Sequence, residues 1–102
     1  MQDYKISFLP TAKDELKEIA NMHLNLVGPD SAEKITNKLL NSIELLSSNP
    51  YMGYKVKNAY MAKQGFRVII CGKYMCFYKI SKNLIEIYHI TDGRRNYFNK
   101  LI

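Results

Sequence analysis

The stretch FRVIICGKYMCFYKISKNLIEIYHI, residues 66–90, decides the fold of this chain. β-branched and aromatic residues dominate it, and two short polar interruptions divide it into three runs. Residues of these types favour extended strands, and interruptions of two or three residues are short enough for hairpin turns. The pattern predicts three consecutive strands, at residues 66–71, 74–80 and 84–90.

Two amphipathic helices are predicted before residue 50. Apolar or aromatic positions recur at helical spacing in two sets, Ala12, Leu16, Ile19, His23 and Leu26, then Ala32, Ile35, Leu39, Ile43 and Leu46. Thr11 with Asp14, and Asp30 with Glu33, have the spacing of capping boxes, which marks a helix start at each pair. Because Gly28-Pro29 leaves only a short turn, the helices are predicted to form an antiparallel hairpin, with His23 as a core or interface residue.

A short strand precedes the helices, because Tyr4, Ile6 and Phe8 alternate with polar neighbours. Residues 51–64 read as irregular. The predicted order is β-α-α-β-β-β, an α+β fold in one domain, residues 1–102. The helical hairpin packs on a small, twisted, mainly antiparallel sheet, which the first strand joins from across the hairpin. Since the last two strands are apolar on both sides, something other than the hairpin is expected to cover part of the opposite face.

Positive charge is concentrated in the second half of the chain. Residues 1–49 carry five lysines and seven acidic residues, whereas residues 50–102 carry ten lysines or arginines and two acidic residues. This asymmetry indicates a polyanion or an acidic partner for the second half. The alternative is a basic surface that only confers solubility.

Several classes of protein are excluded by the composition. The apolar runs are too short to span a membrane, and the start MQDYKISF lacks the pattern of a secretory signal, so we expect a cytoplasmic protein. Cys71 and Cys76 are predicted to be buried, reduced thiols. Because the acidic, His and Cys residues form no metal-ligand pattern, we expect neither a metal nor another cofactor.

The segment after the last strand contains the candidate chemistry. Arg94 and Arg95 follow Asp92-Gly93 directly, and Tyr97 is close behind. Guanidinium groups suit the recognition of phosphate, and a tyrosine beside cations is a candidate for proton transfer. The alternatives are a helix-end or partner contact for the arginines and a packing role for Tyr97.

The order of these elements resembles the RelE/ParE superfamily of toxins from bacterial type II toxin–antitoxin modules. The resemblance covers nearly the whole chain. It rests on residues 10–16 (PTAKDEL), 48–50 (SNP), 60–67 (YMAKQGFR), 74–78 (YMCFY) and 93–97 (GRRNY).

The resemblance implies a toxin that a cognate acidic antitoxin neutralises, with one of two activities. RelE-like members enter the ribosomal A site and cut mRNA, whereas ParE-like members bind DNA gyrase without hydrolytic chemistry. For a nuclease, the resemblance implies two sets of residues. Lys55, Lys57, Arg95 and Tyr97 lie at places that match the family, whereas His89 is a candidate because histidine is the natural proton shuttle near neutral pH, at a position that is often an arginine in related sequences. The candidate catalytic set is Arg67, His89, Arg95 and Tyr97, and the candidate set that binds RNA phosphates is Lys55, Lys57 and Arg94.

Some residues depart from the nuclease pattern. An arginine is usual near the middle of the strand where this chain has Val68, Ile69 and Ile70, and Asp92 stands where a histidine is frequent. His89 shares a face with apolar residues, so its alternative role is structural, and the lysines at 55 and 57 could belong to a solvated loop. We favour the ribosome-dependent mRNA endonuclease, with the ribosome and mRNA as partners, and keep the gyrase inhibitor as the alternative.

Overall fold

A five-stranded mixed sheet with three helices packed on it forms the computed structural model, which describes residues 3–93. The first strand, the two long helices and the last three strands follow one another in the predicted order, and the α+β class is confirmed. In chain order the elements are β1 Lys5–Phe8, α1 Pro10–Leu26, α2 Pro29–Glu44, a 3-10 turn at Leu45–Ser47, β2 Tyr54–Lys55, α3 Ala59–Lys63, β3 Arg67–Cys71, β4 Tyr74–Ser81 and β5 Leu84–Asp92.

The strand order in the sheet is β1-β5-β4-β3-β2. β1 pairs with β5 in parallel, with Lys5 opposite Leu84, and every other pair is antiparallel. The first strand therefore joins the sheet from across the helical hairpin, as predicted. Two-residue turns connect β3 to β4 and β4 to β5, and Gly72 and Lys82 adopt positive φ angles of 61° and 57° in them.

Each face of the sheet has its own apolar core. On one face, the hairpin packs buried side chains such as Ala12, Leu39 and Ile43 against the sheet residues Tyr78 and Ile87. A smaller cluster covers part of the opposite face, with members Val56, Met61, Phe66, Val68 and Phe77. This second cover was predicted, and it accounts for strands that are apolar on both sides.

The expectation that residues 51–64 are irregular is wrong, because they contain β2 and α3. β2 is only two residues long, and α3 only five, so neither can show a periodic pattern. The side chain of Asn58 caps α3 by accepting a hydrogen bond from the Met61 amide at 3.1 Å. Met61 is then buried against the sheet, which fixes the short helix through tertiary packing.

The predicted capping boxes are also wrong. α1 and α2 begin at Pro10 and Pro29, so Leu9 and Gly28 are the N-caps, and neither cap position has a capping hydrogen bond from a side chain. Proline is favoured at the first helical position because its φ angle is already helical and its missing N–H would have no partner there. Thr11 and Asp30 consequently lie one residue inside their helices.

Residues 3–93 lack two features, a membrane-spanning helix and a cluster of metal ligands. Within that range, no helix combines the length and the apolar character that crossing a bilayer requires. The same part of the chain contains no group of three His, Cys, Asp or Glu residues arranged to hold a metal ion.

Candidate nucleic-acid interface

The segment between α2 and β3 is attached to the sheet by a buried tyrosine. The Tyr78 hydroxyl in β4 donates to the Pro50 carbonyl at 2.8 Å and accepts from the Gly53 amide at 3.1 Å. Tyr78 is fully buried, so these bonds replace water at backbone groups that would otherwise be unsatisfied. The loop before β2 therefore has a fixed path.

Replacing Gly53 by alanine is expected to destabilise this loop. An added Cβ would lie 2.5 Å from the Tyr78 hydroxyl oxygen and 2.8 Å from the Val68 carbonyl oxygen, and the backbone atom cannot move aside easily. We expect Gly53→Ala to lower the free energy of unfolding by about 2 kcal/mol, measured by urea denaturation. Met52→Ala, at the exposed neighbouring position, is the control. Equal stability of the two variants would contradict the close packing.

Arg67, a predicted catalytic residue, is the second attachment of the same loop. Its Nη2 donates to the carbonyls of Tyr51 at 3.1 Å and Gly53 at 2.7 Å. The guanidinium carbon also lies 5.3 Å from the centroid of the Tyr51 ring, a cation–π distance. Its Nε is buried and has no hydrogen-bond partner among residues 3–93. The geometry therefore gives Arg67 a positioning role toward this loop.

The predicted phosphate-binding lysines lie on the segment that Tyr78 and Arg67 hold. Lys55 is in β2, directly opposite Arg67 in β3, and Lys57 follows it two residues later. Both lysines are exposed, whereas Val56 between them is buried. The buried valine fixes the backbone while the two ammonium groups remain in solvent, where they can contact phosphate.

Three exposed tyrosines accompany these lysines and were missed by the sequence reasoning. Tyr51, Tyr54 and Tyr60 are 64%, 68% and 58% exposed. Together with Lys55, Lys57 and Lys63 they are the exposed lysines and tyrosines of the segment that we call the 51–63 surface. Tyr54 and Lys55, as neighbours in β2, point to opposite faces of the sheet. The interleaving of tyrosine and lysine within thirteen residues was the available signal, since nucleic-acid interfaces combine cations with aromatic stacking platforms.

His89, another predicted catalytic residue, lies apart from the 51–63 surface. Its Nδ1 is 3.2 Å from Glu15 Oε1, and the same oxygen accepts a hydrogen bond from the Ile90 amide at 3.1 Å. β1 ends at Phe8, which lies opposite Ile87, so β1 does not reach Ile90 of β5. Glu15 of α1 supplies the hydrogen-bond acceptor for the Ile90 amide instead. Because β4 lies between β5 and β3, two strand spacings of about 10 Å in total separate His89 from the strand of Arg67.

His23 is an interface histidine, as predicted. Its Nδ1 is 3.0 Å from the Ser31 hydroxyl of α2, and its Nε2 is 3.0 Å from the Tyr74 hydroxyl of β4. The imidazole therefore joins the two helices of the hairpin to the sheet.

Cys71 and Cys76 are free and buried, also as predicted. Burial is the main cause that raises the pKa of the Cys76 thiol far above its usual range. The charges of Cys71 and Glu15 raise the same pKa further, by smaller amounts.

Phe66 and Tyr88 form a pair of aromatic rings on the sheet face that carries α3. Phe66 and Tyr88 meet edge to face at 5.1 Å, and the Lys79 ammonium lies 4.5 Å and 5.0 Å from their ring centroids. Burial, and then the Glu86 carboxylate, raise the pKa of Tyr88 above its ordinary value of about 10. Tyr88 is consequently a neutral phenol near pH 7 and is unsuited to act as a general base.

Arg94, Arg95 and Tyr97 lie outside the described residues. Of the seven predicted site residues, the structure brings Lys55, Lys57 and Arg67 together on one segment and its neighbouring strand. His89 is on the far side of β4 and contacts Glu15.

The fold has counterparts among solved structures, and three of them are below 25% sequence identity. A structure of the chromosomal ParDE system from P. aeruginosa is 17% identical with a TM-score of 0.74, covering 87% of this chain and 95% of that one. The toxin–antitoxin complex RelBE2 from Mycobacterium tuberculosis is 18% identical with a TM-score of 0.67, and the coverages are 88% and 98%.

A third counterpart is the E. coli DinJ-YafQ toxin–antitoxin complex, which is 15% identical with a TM-score of 0.62 and coverages of 89% and 93%. A search of curated protein sequences finds no match. The profile of a known family, described as the ParE toxin of type II toxin–antitoxin systems, parDE, matches residues 6–97. Because that match spans most of the sequence, the chain belongs to the ParE toxin family, within the RelE/ParE superfamily of type II toxins.

Proposed function

We propose that this toxin arrests growth as a ribosome-dependent mRNA endonuclease in the bacterial cytoplasm. The observation that carries the proposal is the 51–63 surface, where exposed lysines and exposed tyrosines are interspersed along a segment whose start, residues 50–53, is held by Tyr78 and Arg67. Lysine ammonium groups bind phosphates, and tyrosine rings stack on unpaired bases. This combination suits a single strand of RNA.

The cleavage step follows from the chemistry of RNA. The 2′-oxygen attacks the adjacent phosphorus, the bond to the 5′-oxygen breaks, and a cyclic phosphate and a free 5′-hydroxyl result. The step needs removal of the 2′-hydroxyl proton, neutralisation of the charge at phosphorus, and protonation of the leaving oxygen.

The roles are assigned as follows in this proposal. Lys55, Lys57 and Arg94 bind the phosphates, Arg95 neutralises the developing charge, Tyr97 accepts the proton of the 2′-hydroxyl, and the leaving 5′-oxygen takes a proton from water. Arg67 positions the loop that carries the lysines, since its guanidinium already contacts two carbonyls of that loop. The contact of His89 with Glu15 favours the structural alternative for that histidine.

A cognate antitoxin with an acidic segment is the proposed partner. The excess of lysine and arginine after residue 49 supports electrostatic attraction to such a segment. The similar folds in the complexes RelBE2 and DinJ-YafQ are those of proteins solved together with antitoxins, which supports the same arrangement for this chain.

A second candidate function is inhibition of DNA gyrase without cleavage. Two observations favour it. The matching family profile is that of the ParE toxin, and the middle of β3, where an arginine is usual in the nucleases, consists of Val68, Ile69 and Ile70. All three are apolar, with Val68 and Ile69 buried and Ile70 exposed, so the middle of β3 supplies no cation.

One paired experiment separates the two functions. Purified toxin is added to a cell-free translation system and, separately, to a gyrase supercoiling assay. We expect translation to stop with cut mRNA, and supercoiling to proceed normally. The double variant Arg95→Ala with Tyr97→Phe serves as the control for the cleavage step. Intact mRNA together with failed supercoiling would establish the gyrase function instead, and no effect in either assay would refute both.

A further inference from the structure

A small pocket adjoins the 51–63 surface. It has a volume of about 370 Å³, within the range of about 300–1,000 Å³ that is usual for small-molecule sites. Tyr51, Lys55 and Arg67 line one part of it, and Phe66 with the small residues Ala62 and Gly65 lines another. The wall therefore combines two cations with two aromatic rings and leaves room beside the small residues.

Tyr51 is held in advance of any ligand. Arg67 donates a hydrogen bond to the Tyr51 carbonyl, and its guanidinium also lies against the Tyr51 ring. The side chain nevertheless remains 64% exposed. A ring that is fixed on one side by a cation and open to solvent elsewhere loses little conformational entropy when a flat ligand stacks on it.

Lys55 supplies the charge that an anionic ligand requires. It is exposed, lies directly across from Arg67 and lines the same pocket as Tyr51. Arg67 already uses one nitrogen for two backbone carbonyls, which leaves Lys55 as the more available of the two cations for phosphate. An aromatic surface beside a lysine suits a ligand that contains both a flat ring and a phosphate.

We infer that this pocket is a subsite for one nucleotide of single-stranded RNA, with the base stacked on Tyr51 and the adjacent phosphate on Lys55. The inference rests on the proposed function, because it names the part of the RNA that the 51–63 surface recognises. Stacking without base-specific hydrogen bonds is tolerant of sequence. The subsite therefore contributes affinity, and it selects unpaired RNA over duplex.

The test measures binding of a short single-stranded oligoribonucleotide that contains 2-aminopurine. Stacking quenches the fluorescence of this base, so the signal separates stacking from charge attraction. We expect Tyr51→Ala to weaken binding about tenfold and to abolish most of the quenching, while Tyr51→Phe keeps both within about twofold. The matched control is Leu45→Ala, which removes an exposed apolar side chain that lies outside both the pocket and the 51–63 surface.

The outcomes distinguish this inference from the proposed function. Wild-type affinity in Tyr51→Ala, equal losses in Tyr51→Ala and Leu45→Ala, or no measurable binding by the wild-type protein would each overturn the subsite. Cut mRNA in the translation system with Tyr51→Ala at wild-type rates would overturn it while leaving the nuclease intact. Quenching that depends on Tyr51, with mRNA left whole, would support the subsite and refute the nuclease.

Discussion

Lys55→Ala combined with Lys57→Ala is expected to slow mRNA cleavage in a cell-free translation system by roughly 100-fold. Both ammonium groups are exposed, and the buried Val56 between them keeps the backbone in place. Each charge-assisted bond to a phosphate contributes more than a neutral hydrogen bond, and the two contacts act on the same strand of RNA. Cleavage is followed by primer extension on a defined transcript.

The matched control for this prediction removes the same charge elsewhere. Lys13 and Lys17 are exposed lysines of α1, distant in sequence from the 51–63 surface. Lys13→Ala with Lys17→Ala is expected to change the cleavage rate by less than about threefold, because remote charges act only through the overall field of the protein. If the two pairs of substitutions reduce cleavage equally, net charge and not the 51–63 surface is responsible. An unchanged rate in the first pair would remove these lysines from the site.

Glu15→Ala is expected to destabilise the fold by about 3 kcal/mol, with a fall of about 15 °C in the midpoint of thermal unfolding. The carboxylate is only 7% exposed and one of its oxygens accepts from both the Ile90 amide and the His89 ring. Alanine leaves a buried amide without this acceptor and the imidazole without its partner. Thermal unfolding followed by circular dichroism measures the change.

Two further variants define what Glu15 contributes. Glu15→Gln keeps an oxygen for the Ile90 amide but removes the charge facing His89, and we expect it to lose about half as much stability as Glu15→Ala. Glu18→Ala, at an exposed position of the same helix, should be nearly neutral. The interpretation fails if Glu15→Ala is no less stable than Glu18→Ala.

The regular elements were predictable because their signals are local. The strand runs within residues 66–90 and the helical stripes around Leu39 and Ile19 are set by residues a few positions apart. Short elements carry no such signal. β2 pairs through only Tyr54 and Lys55, and α3 depends on the Asn58 cap and on the burial of Met61. Both elements exist because the sheet provides a surface for them.

The candidate site was only partly predictable. Lys55 and Lys57 were chosen by resemblance, and the structure adds that they are exposed on a fixed segment. The tyrosines of the 51–63 surface were missed because tyrosine alone gives no sign of whether it is buried or exposed: Tyr78 is fully buried while Tyr54 is largely in solvent. Burial depends on strand pairing, which a single segment of sequence does not specify.

By itself, the sequence determined the helical hairpin, the three consecutive strands and a basic second half, since periodicity and charge are readable from near neighbours. The tertiary structure decided the surroundings of Arg67 and His89. Arg67 contacts carbonyls fourteen and sixteen residues away, and His89 meets Glu15 across 74 positions. A register shift in the pairing of β4 with β5 sets the position of His89, opposite Phe77. Such contacts follow from strand order and register, which form only when the whole chain is packed.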